Sequence, residues 1–85
     1  MALVRLRGPL QQRAGAAEHT VAGATVAGAL QALEDDRPAL AGWILDERGE
    51  VRRHITVFVN GDQCRPEAAV GDRDRIDVVP AISGG

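Results

Sequence analysis

The stretch Ile55-Thr56-Val57-Phe58-Val59-Asn60-Gly61 sets the reading of this chain. Its first five residues are β-branched or aromatic, and they run directly into Asn-Gly, the dipeptide best suited to a type I′ two-residue turn. The segment therefore predicts a strand over 55–59 and a hairpin whose return arm is Gln63-Cys64-Arg65. If Ile55, Val57 and Val59 face a core, Phe58 points to the opposite side of the sheet.

Working outward, Arg75-Ile76-Asp77-Val78-Val79 alternates for most of its length and halts at Pro80, which predicts a last strand. At the other end, Leu3, Val4 and Leu6 with Arg5 and Arg7 predict a first strand over 2–7, stopped by the breaker pair Gly8-Pro9. A polar, glycine-containing loop follows, and Glu18-His19-Thr20-Val21 returns as a second strand. From Val26 the period changes: Val26, Ala29, Leu30 and Leu33 recur at three- and four-residue steps, the signature of one helical stripe that packs on a sheet. Thr25 supplies an N-cap hydroxyl, and Pro38 stops the helix near Asp36. Leu40, Trp43, Ile44 and Leu45 form an apolar cluster that closes the edge of the core, and Asp46-Glu47-Arg48-Gly49-Glu50 is a surface loop.

The order strand, strand, helix, hairpin, strand gives an α+β fold, a ubiquitin-like β-grasp in which a mixed sheet wraps one main helix. The domain is expected to span 1–80, with a flexible tail over 81–85 ending in Gly84-Gly85. Parallel pairing of the first and last strands at the centre of the sheet rests partly on analogy, since periodicity alone does not give strand order.

Composition narrows the function classes. With 85 residues there is room for one core and little room for a deep substrate cavity, which favours a carrier or binding module over a self-contained enzyme. A net charge of -2 with interspersed signs presents no large single-sign field for nucleic acid or anionic membrane. All ten cationic side chains are arginine, so the chain offers no ε-amine as an isopeptide acceptor, and only its N-terminal amine is open to acylation. Cys64 is the single cysteine, which excludes an internal disulfide and a multi-cysteine zinc site. The start MALVRLRG lacks the apolar core of a secretion signal, and no apolar run approaches the roughly 20 residues needed to span a bilayer. A cytoplasmic protein is expected. No G-x-G-x-x-G or P-loop is present, so nucleotide binding by this chain is not expected.

The tail draws attention as a reactive element. A C-terminal carboxylate is ionised and inert as an acyl donor until activated. Attack of the Gly85 carboxylate on the α-phosphate of ATP gives an acyl adenylate, from which a sulfur nucleophile displaces AMP to leave a thiocarboxylate. Glycine at 84 and 85 lets the backbone approach closely inside another protein's active site. The five residues after Pro80 extend to roughly 17 Å, at ~3.3 to 3.6 Å per residue, enough to thread a channel while the body docks outside.

Val79-Pro80-Ala81-Ile82-Ser83-Gly84-Gly85 resembles the terminal signature of ubiquitin-like sulfur carriers of the ThiS/MoaD type: the molybdopterin synthase small subunit, the thiamin sulfur carrier and the carrier for cysteine synthesis. Arg52-Arg53-His54-Ile55-Thr56-Val57-Phe58-Val59-Asn60-Gly61 is similar to the pre-hairpin segment of the cysteine-type carriers. The segment from Pro66 to Arg75 is shorter than in those carriers, and Cys64 stands where they have a small apolar residue. The resemblance implies a protein co-substrate that binds no cofactor itself. An adenylating, ubiquitin-activating-like enzyme uses ATP to activate Gly85, a sulfurtransferase supplies sulfur, and a synthase of the cysteine or thiosugar type consumes the thiocarboxylate. The alternatives are a molybdopterin synthase small subunit and a protein modifier conjugated to lysines through Gly85. Trimming of a longer precursor to expose Gly85 stays open.

Around that tail, Phe58, Val79, Pro80, Ala81, Ile82 and Ser83 are candidate partner-binding residues, as aromatic side chains are enriched at interfaces. The alternative for Phe58 is cover by the Trp43 segment. Arg52 and Arg53 are candidates for an acidic partner surface. Cys64 reads as a packing residue rather than a sulfur relay. His19 and His54, with no third ligand in view, read as surface or strand-edge residues rather than a metal site.

Overall fold

The computed structural model describes Met1–Pro80. Its order is β1 (Ala2–Leu6), α1 (Pro9–Ala14), β2 (Glu18–Val21), α2 (Val26–Asp36), a 3-10 turn (Pro38–Leu40), β3 (Ile55–Val59), β4 (Asp62–Gln63) and β5 (Arg75–Pro80). The sheet order is β2-β1-β5-β3-β4. This is the ubiquitin-like β-grasp, with the last strand at its centre. β5 runs parallel to β1, with Val4 opposite Ile76 and Leu6 opposite Val78. It runs antiparallel to β3, with Val57 opposite Val78 and Ile55 opposite Pro80.

The central pair explains the stability of the arrangement. Val4, Leu6, Ile76 and Val78 are 2% exposed or less and form the inner face of the sheet. Against them pack Val26, Ala29, Leu30 and Leu33 of α2, all fully buried. Removing such side chains from water is the main favourable term in a domain of this size, at about 1.5 to 3 kcal/mol for each large aliphatic residue. Leu40, Ile44 and Leu45 close the edge as expected, whereas Trp43 is 42% exposed and lies under the Arg13 guanidinium, 3.8 Å from the ring centroid.

The donors at the start of α2 are satisfied. The Thr25 side chain accepts from the Gly28 N–H at 3.1 Å, while Val26 and Ala27 donate to the carbonyls of Ala68 and Pro66 at 2.9 and 2.8 Å. The loop between β4 and β5 thereby takes up donors that a helix start leaves free. At the hairpin, Asn60 and Gly61 have φ of 53° and 91°, as a type I′ turn requires.

The structure departs from the sequence reading at five places. Residues 9–14, expected as loop, form α1. It begins on Pro9, ends on Gly15 in the left-handed region, and buries Leu10 and Ala14 one turn apart. Six residues are too few for a periodic stripe to stand out. The return arm β4 is Asp62–Gln63 rather than 63–65, because the chain leaves β3 after Cys64 donates its N–H to the Val57 carbonyl. β1 ends at Leu6, and β5 includes Pro80. His19 lies on edge strand β2 but faces inward, 7% exposed, with Nε2 3.0 Å from the Ala16 carbonyl oxygen.

Candidate functional site

Side-chain alternation gives the sheet a second face, opposite the helix-packed core. Following the pairings across the strands, Glu18, Arg5, Asp77, Phe58 and Gln63 form one row on this outer face, and Val79 lies opposite Thr56 beside it. Phe58 and Val79 are half-buried, and Arg5 and Arg75 present partly exposed guanidinium groups. The strand alternation thus puts Phe58 outward, as expected, and places it beside the strand that leads to the tail.

Pro80 ends β5 as the partner of Ile55. Its ring lies against Gly8, where an added Cβ would stand 3.9 Å from Pro80 Cγ. The root of the tail is therefore paired with β3 and adjoined by the turn that follows β1. Ala81, Ile82, Ser83, Gly84 and Gly85 lie outside the described residues.

Arg52 and Arg53 sit apart from the outer-face row, before β3. They line a cleft of about 270 Å³ together with Ile55, Thr56 and Cys64. Arg52 already uses its Nε–H on the Gly42 carbonyl, and its backbone N–H donates to Ile44 at 2.9 Å, so it braces the 42–44 turn. Arg53 is exposed. Cys64 packs against the core with its Sγ 3.6 Å from the Val57 carbonyl oxygen, and burial pushes its thiol pKa up. A raised thiol pKa lowers the thiolate fraction that sulfur chemistry needs. His54 is exposed, and among the described residues no group of three His, Cys, Asp or Glu is arranged to hold a metal ion. Among the described residues, no helix is long and apolar enough to cross a membrane.

Sequence reasoning missed two buried carboxylates. Glu34, on α2, accepts from the backbone N–H groups of Gly42, Ile44 and Leu45 at 3.2, 3.0 and 2.7 Å. It thereby shapes the segment that covers the core edge. Asp77 stands in the central strand on the outer face, 7% exposed, with Arg75 Nε donating to its Oδ2 at 3.2 Å. Arg5 Nε lies 4.0 Å from Oδ1, too far for a hydrogen bond, and Oδ1 has no donor. The available signal was a charged residue between Ile76 and Val78 in the central strand.

Comparison with known proteins agrees with this architecture. The ThiS family model matches residues 4–85. The chain is 37% identical over 62 residues to small archaeal modifier protein 1 of Haloferax volcanii, covering 73% of this chain and 71% of that one. A crystal structure of that modifier from Haloferax volcanii superposes with a TM-score of 0.85 at 33% identity, covering 99% of this chain and 98% of the other. The Amycolatopsis orientalis BexX/CysO complex contains a chain that matches with a TM-score of 0.86 at 26% identity, over 100% of both chains. The relatives are small ubiquitin-like carriers and modifiers, and this chain belongs to the ThiS family.

Proposed function

We propose that this protein is a sulfur carrier and co-substrate whose Gly85 carboxylate is activated and thiolated by partner enzymes. The observation that carries the proposal is the position of β5. The strand that leads to Gly84-Gly85 is the central one, tied to β1 as far as Val78 and to β3 as far as Pro80, beside an outer face with half-buried Phe58 and Val79. A partner that covers this face meets the root of the tail at a fixed place, which lowers the entropic cost of delivering the terminus to its active site.

The chemistry requires a partner that binds ATP. A Gly85 carboxylate oxygen attacks the α-phosphorus, pyrophosphate leaves, and the resulting mixed anhydride has AMP as a leaving group. Hydrosulfide then adds to the acyl carbon, AMP departs, and the product is the Gly85 thiocarboxylate. The carrier supplies the carboxylate and the docking face, and a cytoplasmic synthase of the cysteine or thiosugar type takes the sulfur. The match to a chain of the BexX/CysO complex supports a function that involves docking to a partner protein.

A second reading, a modifier joined to target lysines through Gly85, is favoured by the 37% identity to small archaeal modifier protein 1. Both readings share adenylation and differ in product. Incubation with ATP, hydrosulfide and an adenylating enzyme of the same organism, followed by intact-mass measurement, tests the proposal. The carrier reading expects one oxygen exchanged for sulfur and no exchange in a chain lacking Gly85. Lysine-linked conjugates in cell extracts, without any thiocarboxylate, establish the modifier reading in its place.

A further inference from the structure

The arginines divide into two groups. Arg5, Arg37, Arg48 and Arg75 lie within ion-pair distance of a carboxylate. Among the described residues the other arginines do not, and Arg7, Arg13, Arg52 and Arg53 of that second group gather at the end of the sheet from which the tail leaves. Arg7 precedes Gly8, which lies against the Pro80 ring, and Arg53 stands two residues before Ile55, the strand partner of Pro80. The two therefore flank the root of the tail from β1 and β3. Arg13 lies over the Trp43 ring, and Trp43 lines a cleft of about 240 Å³ with Gly42, Arg52 and His54. Arg7, Arg13, Arg53 and His54 are exposed, and Trp43 is 42% exposed.

Carboxylates adjoining this end are already engaged: Glu18 by Arg5, Glu34 by three backbone N–H groups, and Asp46 by Arg48. Asp62, Asp72 and Asp74 belong to the turns at the opposite end, where Val59 pairs with Ile76. A chain of net charge -2 thus carries an unneutralised positive region around the root of its tail. Trp43, held under Arg13, adds a fixed aromatic surface, and Trp and Arg are the side chains that most often dominate protein interfaces. A long polyanion lying on this region would run on toward the acidic end and be repelled there, whereas a protein surface of matching size would not.

Resting on the carrier reading above, we infer that this rim of arginines around Trp43 docks on a carboxylate-bearing surface at the active-site entrance of the adenylating enzyme. Opposite charges at the edge of a contact raise the rate of productive encounter and fix its orientation, here with the tail facing the entrance. The docking complements the apolar contact of Phe58 and Val79 on the outer face.

The test uses the full chain and the organism's adenylating enzyme, with KM and kcat read from pyrophosphate release at low and high salt. R7E and R53E reverse the charge on either side of the root, and R73E makes the same charge change at the opposite end. R7E and R53E should each raise KM about ten-fold at low salt with kcat near wild type, and R73E should leave KM within about two-fold. The excess should shrink at high salt, because the screening length falls from about 10 Å at 0.1 M to about 3 Å at 1 M. W43A should raise KM at both salt levels, since an aromatic contact is not screened. R7Q and R53Q carry the same test with smaller shifts where a reversal unfolds the chain. Equal effects of R7E, R53E and R73E, or unchanged KM in R7E and R53E, overturn the inference and leave the carrier reading standing. Binding of wild type to a short RNA that R7E and R53E abolish, with KM unchanged, assigns the region to nucleic acid and also overturns it. A wild type that is never adenylated removes the carrier reading, and this inference with it.

Discussion

Glu34 Oε2 accepts a hydrogen bond of 2.7 Å from the backbone N–H of Leu45, eleven residues along the chain, and this bond ties the covering segment to α2. The same carboxylate also holds the N–H groups of Gly42 and Ile44. Glu34→Ala leaves these donors without their acceptor in a mostly buried setting. The expected loss is about 2 to 4 kcal/mol in chemical denaturation, since hydrogen bonds to charged groups contribute roughly 1.5 to 3 kcal/mol each and are not additive. Glu34→Gln, which keeps one carbonyl acceptor, should lose less.

Gly23 is required by proximity. A Cβ there would stand 2.5 Å from the Ala29 backbone nitrogen and 2.7 Å from its Cα, inside van der Waals contact with atoms that the helix holds in place. Gly23→Ala should cost on the order of 1 to 3 kcal/mol, read from the thermal midpoint. Gly49→Ala, which meets no atom within 4 Å but has φ of 80°, should cost closer to 1 kcal/mol.

Asp74 sets a pH dependence whose sign follows from its partners. Its Oδ2 accepts from the Gly71 N–H at 2.8 Å and its Oδ1 from Asn60 Nδ2 at 2.9 Å, and these bonds, Gly71 first, hold its pKa below the ordinary aspartate value. A depressed carboxylate contributes stability that is fully present above its unfolded pKa, about 3.9, and is lost as the pH falls through the lower folded value. Asp74→Asn should therefore narrow the stability difference between neutral pH and pH of about 3, measured by denaturant titration at both.

Phe58→Asp should leave the melting temperature within a few degrees of wild type, because Phe58 is half-buried on the face away from the core. The same change should raise the KM for activation of the tail by about ten-fold or more, as for a central aromatic contact. Unchanged KM removes Phe58 from the docking face.

Cys64→Ser should leave sulfur loading of the terminus intact, because the thiol is partly buried, turned to the Val57 carbonyl, and has a raised pKa. Loss of loading with the fold retained assigns Cys64 a chemical role.

Much of the fold was legible where a local signal had one reading. Asn60-Gly61 allowed one turn type, and the stripe of Val26, Ala29, Leu30 and Leu33 allowed one helix face. Outward Phe58 followed from the alternation of Ile55, Val57 and Val59. α1 was hidden because its two buried residues, Leu10 and Ala14, complete just one turn. Glu34 and Asp77 were hidden for a different reason. A carboxylate on an amphipathic helix or an alternating strand is ordinarily solvated, and its burial depends on atoms brought from Gly42–Leu45 and from Arg5. Those contacts arise from the tertiary arrangement, which periodicity does not encode.

The parallel pairing of β1 with β5 has a temporal consequence. The strand in the middle of the sheet is the last strand in chain order, so during synthesis β1 and β3 have no common neighbour until Arg75–Pro80 has left the ribosome. The two halves of the sheet can be joined only once that segment is available, and the contact it makes with β1 is one of long sequence separation, which slows folding. A polypeptide that has not yet reached Arg75–Pro80 therefore lacks the middle of the surface that a docking enzyme would recognise.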